Sequence, residues 1–136
     1  GLNPPLVEDR KPIWQATGGD TLRLTTNATR LDGTPVTPEN SRIEFALTDL
    51  KFENLRVWDG TWKNGIELVD AGQPGLIEVK IPDDISDSLR RGGFFFSLRV
   101  TDVHDNNRYT QVEGELLIEY QPTSPTHEIP YKEDTV

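Results

Sequence analysis

Apolar and polar residues alternate along most of the chain, and this alternation predicts short β-strands. In residues 21–29, Leu22 and Leu24 fall on one face, while Arg23 and Thr25 fall on the other. Successive side chains of a strand point to opposite sides, so a period of two is typical of a half-buried strand. The same alternation recurs in residues 42–48, 76–81, 94–101 and 109–120.

Glycine, proline and aspartate separate these segments and predict the turns between them. Residues 13–15 and 66–69 are two further strand candidates, and Gly18-Gly19 ends the first of them. Asp32-Gly33 predicts a tight turn. Residues 82–89 begin with acidic residues and predict one helical turn that ends before Gly92-Gly93.

Residues 49–65 and Gly114 carry two more specific predictions. Residues 49–65 predict a helical turn followed by a tight hairpin, in which Trp58 and Trp62 flank Asp59-Gly60. Gly114 predicts a β-bulge in the last strand.

Strands at roughly ten-residue spacing, joined by such turns, indicate the fold class. We expect an all-β protein, an antiparallel immunoglobulin-like β-sandwich of about seven to eight strands with one short helical turn and extended terminal arms. The inward phase of each strand predicts a core of Leu22, Leu24, Ile43, Phe45, Leu47, Ile77, Val79, Phe96, Leu98, Val100, Leu116 and Ile118.

The chain divides into three parts on the same grounds. Residues 1–12 form a proline-rich N-terminal arm, residues 13–120 the β-sandwich domain, and residues 121–136 a proline-rich C-terminal arm or linker. The arms have too little apolar surface to order themselves alone. On a neighbouring subunit, Pro125, Ile129 and Tyr131 would supply the apolar contacts, so they are candidate partner-contact residues.

Composition excludes several classes of function. The 136 residues include 14 Lys and Arg against 23 Asp and Glu, a net charge of −9, and no cysteine. The charge argues against nucleic acid and anionic membrane surfaces as partners. No apolar run approaches the length that spans a bilayer, and we expect no signal peptide. Without cysteine there is neither a disulfide scaffold nor a thiol nucleophile.

No motif points to an enzyme, a metal site or a cofactor. His104 lies between Asp102 and Asp105, but an exposed hairpin turn gives an acid–base pair no dry cavity. Asp102 and Asp105 with two neighbouring asparagines, and the acids of residues 83–87, lack the spacing of an EF-hand calcium loop. We therefore expect a non-enzymatic protein that requires no cofactor and no metal.

The tryptophans offer one candidate ligand site. Across a tight turn, the rings of Trp58 and Trp62 would lie close together, and sugar rings stack on such a platform. The alternative is that one tryptophan fills the core and another covers its end. Trp58 and Trp62 are thus candidate contacts of a carbohydrate or of a protein partner.

The order of these elements resembles the β-sandwich modules of tailed-bacteriophage structural proteins, especially the N-terminal module of siphophage baseplate upper proteins. The similar elements span about a hundred residues: Gly-Asp-Thr opening a strand at 19–21, Asp-Gly-Thr-Pro-Val at 32–36, and Leu-Arg-Arg-Gly-Gly-Phe-Phe at 89–95 before the final hairpin. Residues 37–40 and 55–65 depart from that pattern.

The resemblance implies a virion tail or baseplate component that acts in assembly through protein–protein contacts. It implies other virion proteins and further copies of the chain as partners, and location in the virion, or in the host cytoplasm before assembly. The alternative is a carbohydrate-binding or adhesin-type module that uses exposed tryptophans.

Overall fold

The computed structural model describes residues 12–52 and 55–121, which form eight strands and one short helix. Apart from Pro12 and Gln121, the two predicted arms lie outside the described residues, as do the candidate contacts Pro125, Ile129 and Tyr131. The elements are β1 (Ile13–Thr17), β2 (Leu22–Asn27), β3 (Ser41–Asp49), β4 (Leu55–Trp62), β5 (Gly65–Leu68), β6 (Leu76–Ile81), α1 (Asp83–Ser88), β7 (Gly92–Asp102) and β8 (Arg108–Glu119).

Hydrogen bonds join the strands in the order β1-β8-β7-β3-β4-β5-β6-β2. In a flat sheet, β1 and β2 would lie about 34 Å apart, at about 4.8 Å per strand. The five Cα–Cα steps from Thr17 to Leu22 span at most about 19 Å. The strands must therefore fold into two facing layers, β1-β8-β7-β3-β4 (the five-stranded layer) and β5-β6-β2 (the three-stranded layer).

This arrangement is an immunoglobulin-like β-sandwich, as the alternation predicts. Only two residue pairs, Thr61 with Gly65 and Trp62 with Ile66, connect the two layers between β4 and β5. Two pairings differ from the purely antiparallel expectation, because β1 runs parallel to β8 and β4 runs parallel to β5. The remaining five strand pairs are antiparallel.

Inward-facing side chains of both layers form one core. Eleven of the twelve predicted core residues are buried, and Leu24 is half-buried on β2, at the edge of the strand order. At the centre, the Phe45 and Phe96 rings stack with their centroids 5.9 Å apart. The core also contains side chains absent from the predicted set, namely Ala28, Val36, Ile66, Ile81, Leu89 and Phe94.

The predicted hairpin at Asp59-Gly60 is wrong, because β4 continues straight through both residues. Trp58 explains the glycine: a Cβ on Gly60 would lie 2.9 Å from Cη2 of the Trp58 ring. The chain turns later, at Lys63 and Gly65, both of which have positive φ. Gly60 therefore leaves room for a large side chain inside a strand and forms no turn.

Gly114 also has a different role from the predicted bulge. The register shift between β7 and β8 falls between Leu98 and Arg99. At Gly114, a Cβ would lie 2.3 Å from the carbonyl oxygen of Pro12. The Glu115 N–H donates to that same oxygen at 3.1 Å. Gly114 therefore permits the close approach of the chain that enters β1.

Helix α1 is held against the sandwich by Tyr120, the residue that follows β8. The Tyr120 hydroxyl donates to the carbonyl of Leu89 and lies 3.2 Å from that of Ser86. Burial raises the pKa of Tyr120 to about 12. With six residues, α1 is far shorter than a bilayer requires, and no helix between residues 12 and 121 could span one.

Candidate functional site

The outward face of the five-stranded layer carries a groove between β3, β7 and β4. On β3, the residues that alternate with the core-facing Phe45 and Leu47 point away from the core, and the matching residues of β7 lie beside them. We call this depression the outer groove. Its wider part, about 340 Å³ in volume, is lined by Glu44, Ala46, Thr48, Arg56, Phe95, Ser97 and Arg99.

Small side chains make the depression. Ala46 and Ser97 are Cα partners on neighbouring strands. Their short side chains leave space between longer neighbours, and half-buried Phe95 adds an apolar wall. The floor of the groove is thus formed by small side chains, and charged residues lie at its margin.

An ion-pair cluster forms the β4 margin of the outer groove. Arg56 Nη1 lies 3.7 Å from a Glu44 carboxylate oxygen and 3.8 Å from one of Asp59. All three side chains are well exposed, so the pairs contribute little stability. Their effect is to place the Glu44 charge beside Arg56.

Three exposed arginines occupy one end of the groove, and we call them the arginine row. Arg42 and Arg108 are the Cα partners of Thr101 on either side of β7. Arg99 lies two residues from Thr101 along the same strand, so it is a diagonal neighbour of both, with Cα atoms about 7–8 Å away. The three side chains line a continuation of the groove of about 250 Å³.

None of these three arginines forms an ion pair with another residue of 12–52 or 55–121. The Arg42 guanidinium donates to the Asn106 side-chain oxygen at 3.2 Å. The row therefore presents three positive charges without a direct ion-pair partner among the described residues, on a chain of net charge −9.

The opposite end of the layer is apolar. Leu50 and Phe52 follow β3 and Leu55 begins β4, and the three side chains are 47%, 52% and 58% exposed. We call them the apolar corner. Leu50 also approaches the outward surface of β7, since a Cβ on Gly93 would lie 3.9 Å from its Cδ1.

An ion pair between buried Asp49 and half-buried Arg90 lies at the base of the apolar corner. Asp49, at the end of β3, accepts hydrogen bonds from Arg90 Nε at 2.8 Å and from the Lys51 N–H at 2.9 Å. The Arg90 guanidinium lies over the ring of Phe94 at 5.1 Å and over that of Phe52 at 5.8 Å. Its hydrogen bond lowers the pKa of Asp49, against the opposing effect of burial.

Trp58 and Trp62 lie on the same side of β4, and both face inward. The Trp58 ring packs against Phe45 with centroids 5.8 Å apart. The Trp62 indole N–H donates to the Ser41 carbonyl at 2.9 Å. Both are half-buried against the core, so they do not flank an exposed turn. Whether they contact a ligand stays a prediction.

The acidic turn near His104 is occupied by local hydrogen bonds. Asp102 accepts the His104 N–H at 2.8 Å and an Arg30 guanidinium hydrogen bond at 2.8 Å. The hydrogen bond from His104 is the main reason that the pKa of Asp102 is lowered. Within residues 12–52 and 55–121, no three His, Asp or Glu side chains are grouped as metal ligands would be.

The arginine row and the apolar corner were not among the candidate contacts predicted from sequence. The available signal was the outward phase of the strands, since Arg42 and Arg99 alternate with core residues. Which outward residues meet depends on strand order and register, and those follow from the tertiary structure.

The fold is an immunoglobulin-like β-sandwich, and the outer groove lies on the outward face of its five-stranded layer. No family model and no curated protein matches the chain. A solved structure of the NK cell receptor Nkp44, described as a triggering partner in natural cytotoxicity, is similar over 82% of this chain and 100% of its own. The identity is 17% and the TM-score 0.47, a level of similarity that gives no information on function.

Proposed function

We propose that this protein is a non-enzymatic structural component of a phage or prophage virion, in the tail or baseplate, and that it assembles with further copies of itself. The resemblance of residues 19–120 to baseplate modules supports the virion assignment. The outward face of the five-stranded layer is the proposed contact surface.

The observation that carries the proposal is the apolar corner. Leu50, Phe52 and Leu55 are each about half exposed and lie within six residues of one another, where β3 ends and β4 begins. Exposed apolar side chains that are scattered singly are ordinary, whereas grouped ones mark interaction sites. The Asp49–Arg90 ion pair and the hydrogen bond from the Lys51 N–H to Asp49 fix the backbone next to these side chains.

The carbohydrate-binding alternative depends on free tryptophan faces. Trp58 packs on Phe45, and the Trp62 N–H is used by a backbone carbonyl. The apolar corner offers a larger exposed apolar surface than either ring. Assembly is therefore the function that we favour.

Light scattering at micromolar concentration tests the proposal. We expect the intact chain to be oligomeric, and the Leu50→Ser/Leu55→Ser variant to shift toward monomer. This variant keeps Phe52 and its contact with Arg90. Deletion of residues 121–136 is also expected to weaken assembly, because the C-terminal arm is predicted to dock on a neighbour.

The matched control is Leu31→Ser/Val69→Ser, which removes two apolar side chains that are 71% and 50% exposed outside the apolar corner. It should leave the oligomer intact. If the intact chain is a monomer, the assembly proposal is wrong.

A further inference from the structure

The arginine row brings three positive charges together without ion-pair partners among the described residues. Like charges at neighbouring positions of a sheet repel each other, whereas opposite charges across strands attract. Here Glu44, the Cα partner of Arg99, lies beside Arg56. The chain has 23 acidic residues, yet Arg42, Arg99 and Arg108 pair with none of those that the structure describes.

The chemistry of the row matches carboxylates. Guanidinium groups bind carboxylates through paired, charge-assisted hydrogen bonds. Polyanions such as nucleic acids or sulfated glycans would also bind arginines through charge-assisted hydrogen bonds, and the heparin measurement below tests for that class of ligand. An acidic protein surface can satisfy the row and also cover the apolar wall formed by Phe95.

We propose that the arginine row binds an acidic surface of a second copy of this chain, so that the contact between copies is head-to-tail. This inference rests on the proposed function and specifies its partner chemistry. Outside the row the chain is strongly acidic, so another copy supplies the complementary charge.

The same charges disfavour a two-fold contact of the outward faces. A two-fold interface places the same patch on both sides, which would set arginine row against arginine row. A head-to-tail contact instead joins two different patches and continues from copy to copy as a ring or a filament.

The experiment uses the intact chain and an Arg99→Glu/Arg108→Glu variant, measured by light scattering alone and in an equimolar mixture. Both side chains are exposed, and thermal melting checks that the variant folds. An Arg23→Glu variant is the control, because Arg23 pairs with Glu78 on the three-stranded layer. The milder Arg99→Gln variant covers the case in which the double variant does not fold.

We expect the dissociation constant of the oligomer to be at least about tenfold higher for the double variant than for the intact chain. The Arg23→Glu control should leave this constant unchanged. In the mixture, a head-to-tail contact lets the variant bind only as a terminal subunit, so the mean mass falls. A two-fold contact would instead pair the new glutamates with the arginines of the intact chain, giving a mixed dimer tighter than either protein alone. That result would overturn the inference.

Two further outcomes would also overturn it. Retention of the oligomer by the double variant would do so while leaving the proposed assembly function in place. Binding of a heparin oligosaccharide by the intact chain, lost in the double variant while its oligomer mass is unchanged, would assign the row to an acidic glycan. A monomeric intact chain contradicts the proposed function itself.

Discussion

At the scale of single residues, the ion pair between Asp49 and Arg90 makes the sharpest stability prediction. Asp49 is 4% exposed, so replacing it with asparagine leaves the Arg90 charge without its partner. The Arg90 side chain is 27% exposed, so losing the charge-assisted hydrogen bonds of this half-buried pair should cost about 1.5–3 kcal/mol. Urea unfolding of Asp49→Asn at neutral pH measures the loss. Asp59→Asn is the control, and its exposed pair with Arg56 should contribute less than about 0.5 kcal/mol.

The pH dependence of this loss has a definite sign. The Arg90 hydrogen bond holds the pKa of Asp49 below the ordinary 3.8. The contribution is therefore complete above that value and is lost as the pH falls through the folded-state pKa. The difference in unfolding free energy between the natural chain and Asp49→Asn should be constant from neutral pH to about pH 5 and shrink below about pH 4. An equal difference at pH 3 would contradict the assignment.

Single residues also show where sequence reasoning succeeds. Ile43, Phe45 and Leu47 were placed in the core by their phase alone, and all three are buried. Phase works because a one-residue slip would turn every side chain of the strand to the wrong face. It identifies outward residues equally well, but it does not show that Arg42, Arg99 and Arg108 meet across three strands.

At the scale of elements, the parallel pairing of β1 with β8 depends on Gly114. An alanine there would place its Cβ 2.3 Å from the Pro12 carbonyl oxygen. Backbone cannot move aside as a flexible side chain can, so we expect Gly114→Ala to cost about 1–3 kcal/mol. The substitution should also raise the hydrogen-exchange rates of the β1 amides more than those of the other strands.

The control for that variant is Gly72→Ala. A Cβ at Gly72 would meet nothing closer than 3.6 Å, at the Asp70 carboxylate, so its stability should change by less than about 0.5 kcal/mol. If both variants were equally stable, the close approach at Gly114 would not determine the position of β1.

The error at β4 has a physical reason. Asp-Gly between apolar residues is a strong turn signal because glycine readily adopts positive φ. At Gly60 the glycine instead makes room for the Trp58 ring. This packing depends on the three-dimensional structure and cannot be read from the neighbouring residues in the sequence. The parallel pairing of β1 with β8 escaped prediction for a similar reason, since it joins residues about a hundred positions apart.

At the scale of the whole molecule, we predict stability without a bound metal ion. Asp102 and Asp105, the strongest calcium candidates, already accept hydrogen bonds from neighbouring backbone N–H groups. Thermal unfolding midpoints in EDTA and in calcium should agree within about 1 °C, because a ligand bound to the folded state would raise the midpoint. A drop of several degrees in EDTA would restore the acidic turn as a cation site.

The whole fold was more predictable than the candidate site. The alternation of short strands determines the sandwich class because each strand must bury one face. The outer groove arises from a particular strand order and from small residues such as Ala46 and Ser97 in register. Those are relations between distant segments, and one sequence does not display them.

The direction of β1 has a consequence for mechanical load. Its five residues run alongside β8 from the Ile13–Glu115 pair to the Thr17–Glu119 pair. Tension applied through the chain before Ile13 and after Glu119 pulls the two strands along their lengths in opposite directions. The hydrogen bonds between them are then sheared together, whereas an antiparallel pair pulled from one end would open one bond at a time. A module linked in series through its two ends would therefore resist stretching at this pair of strands.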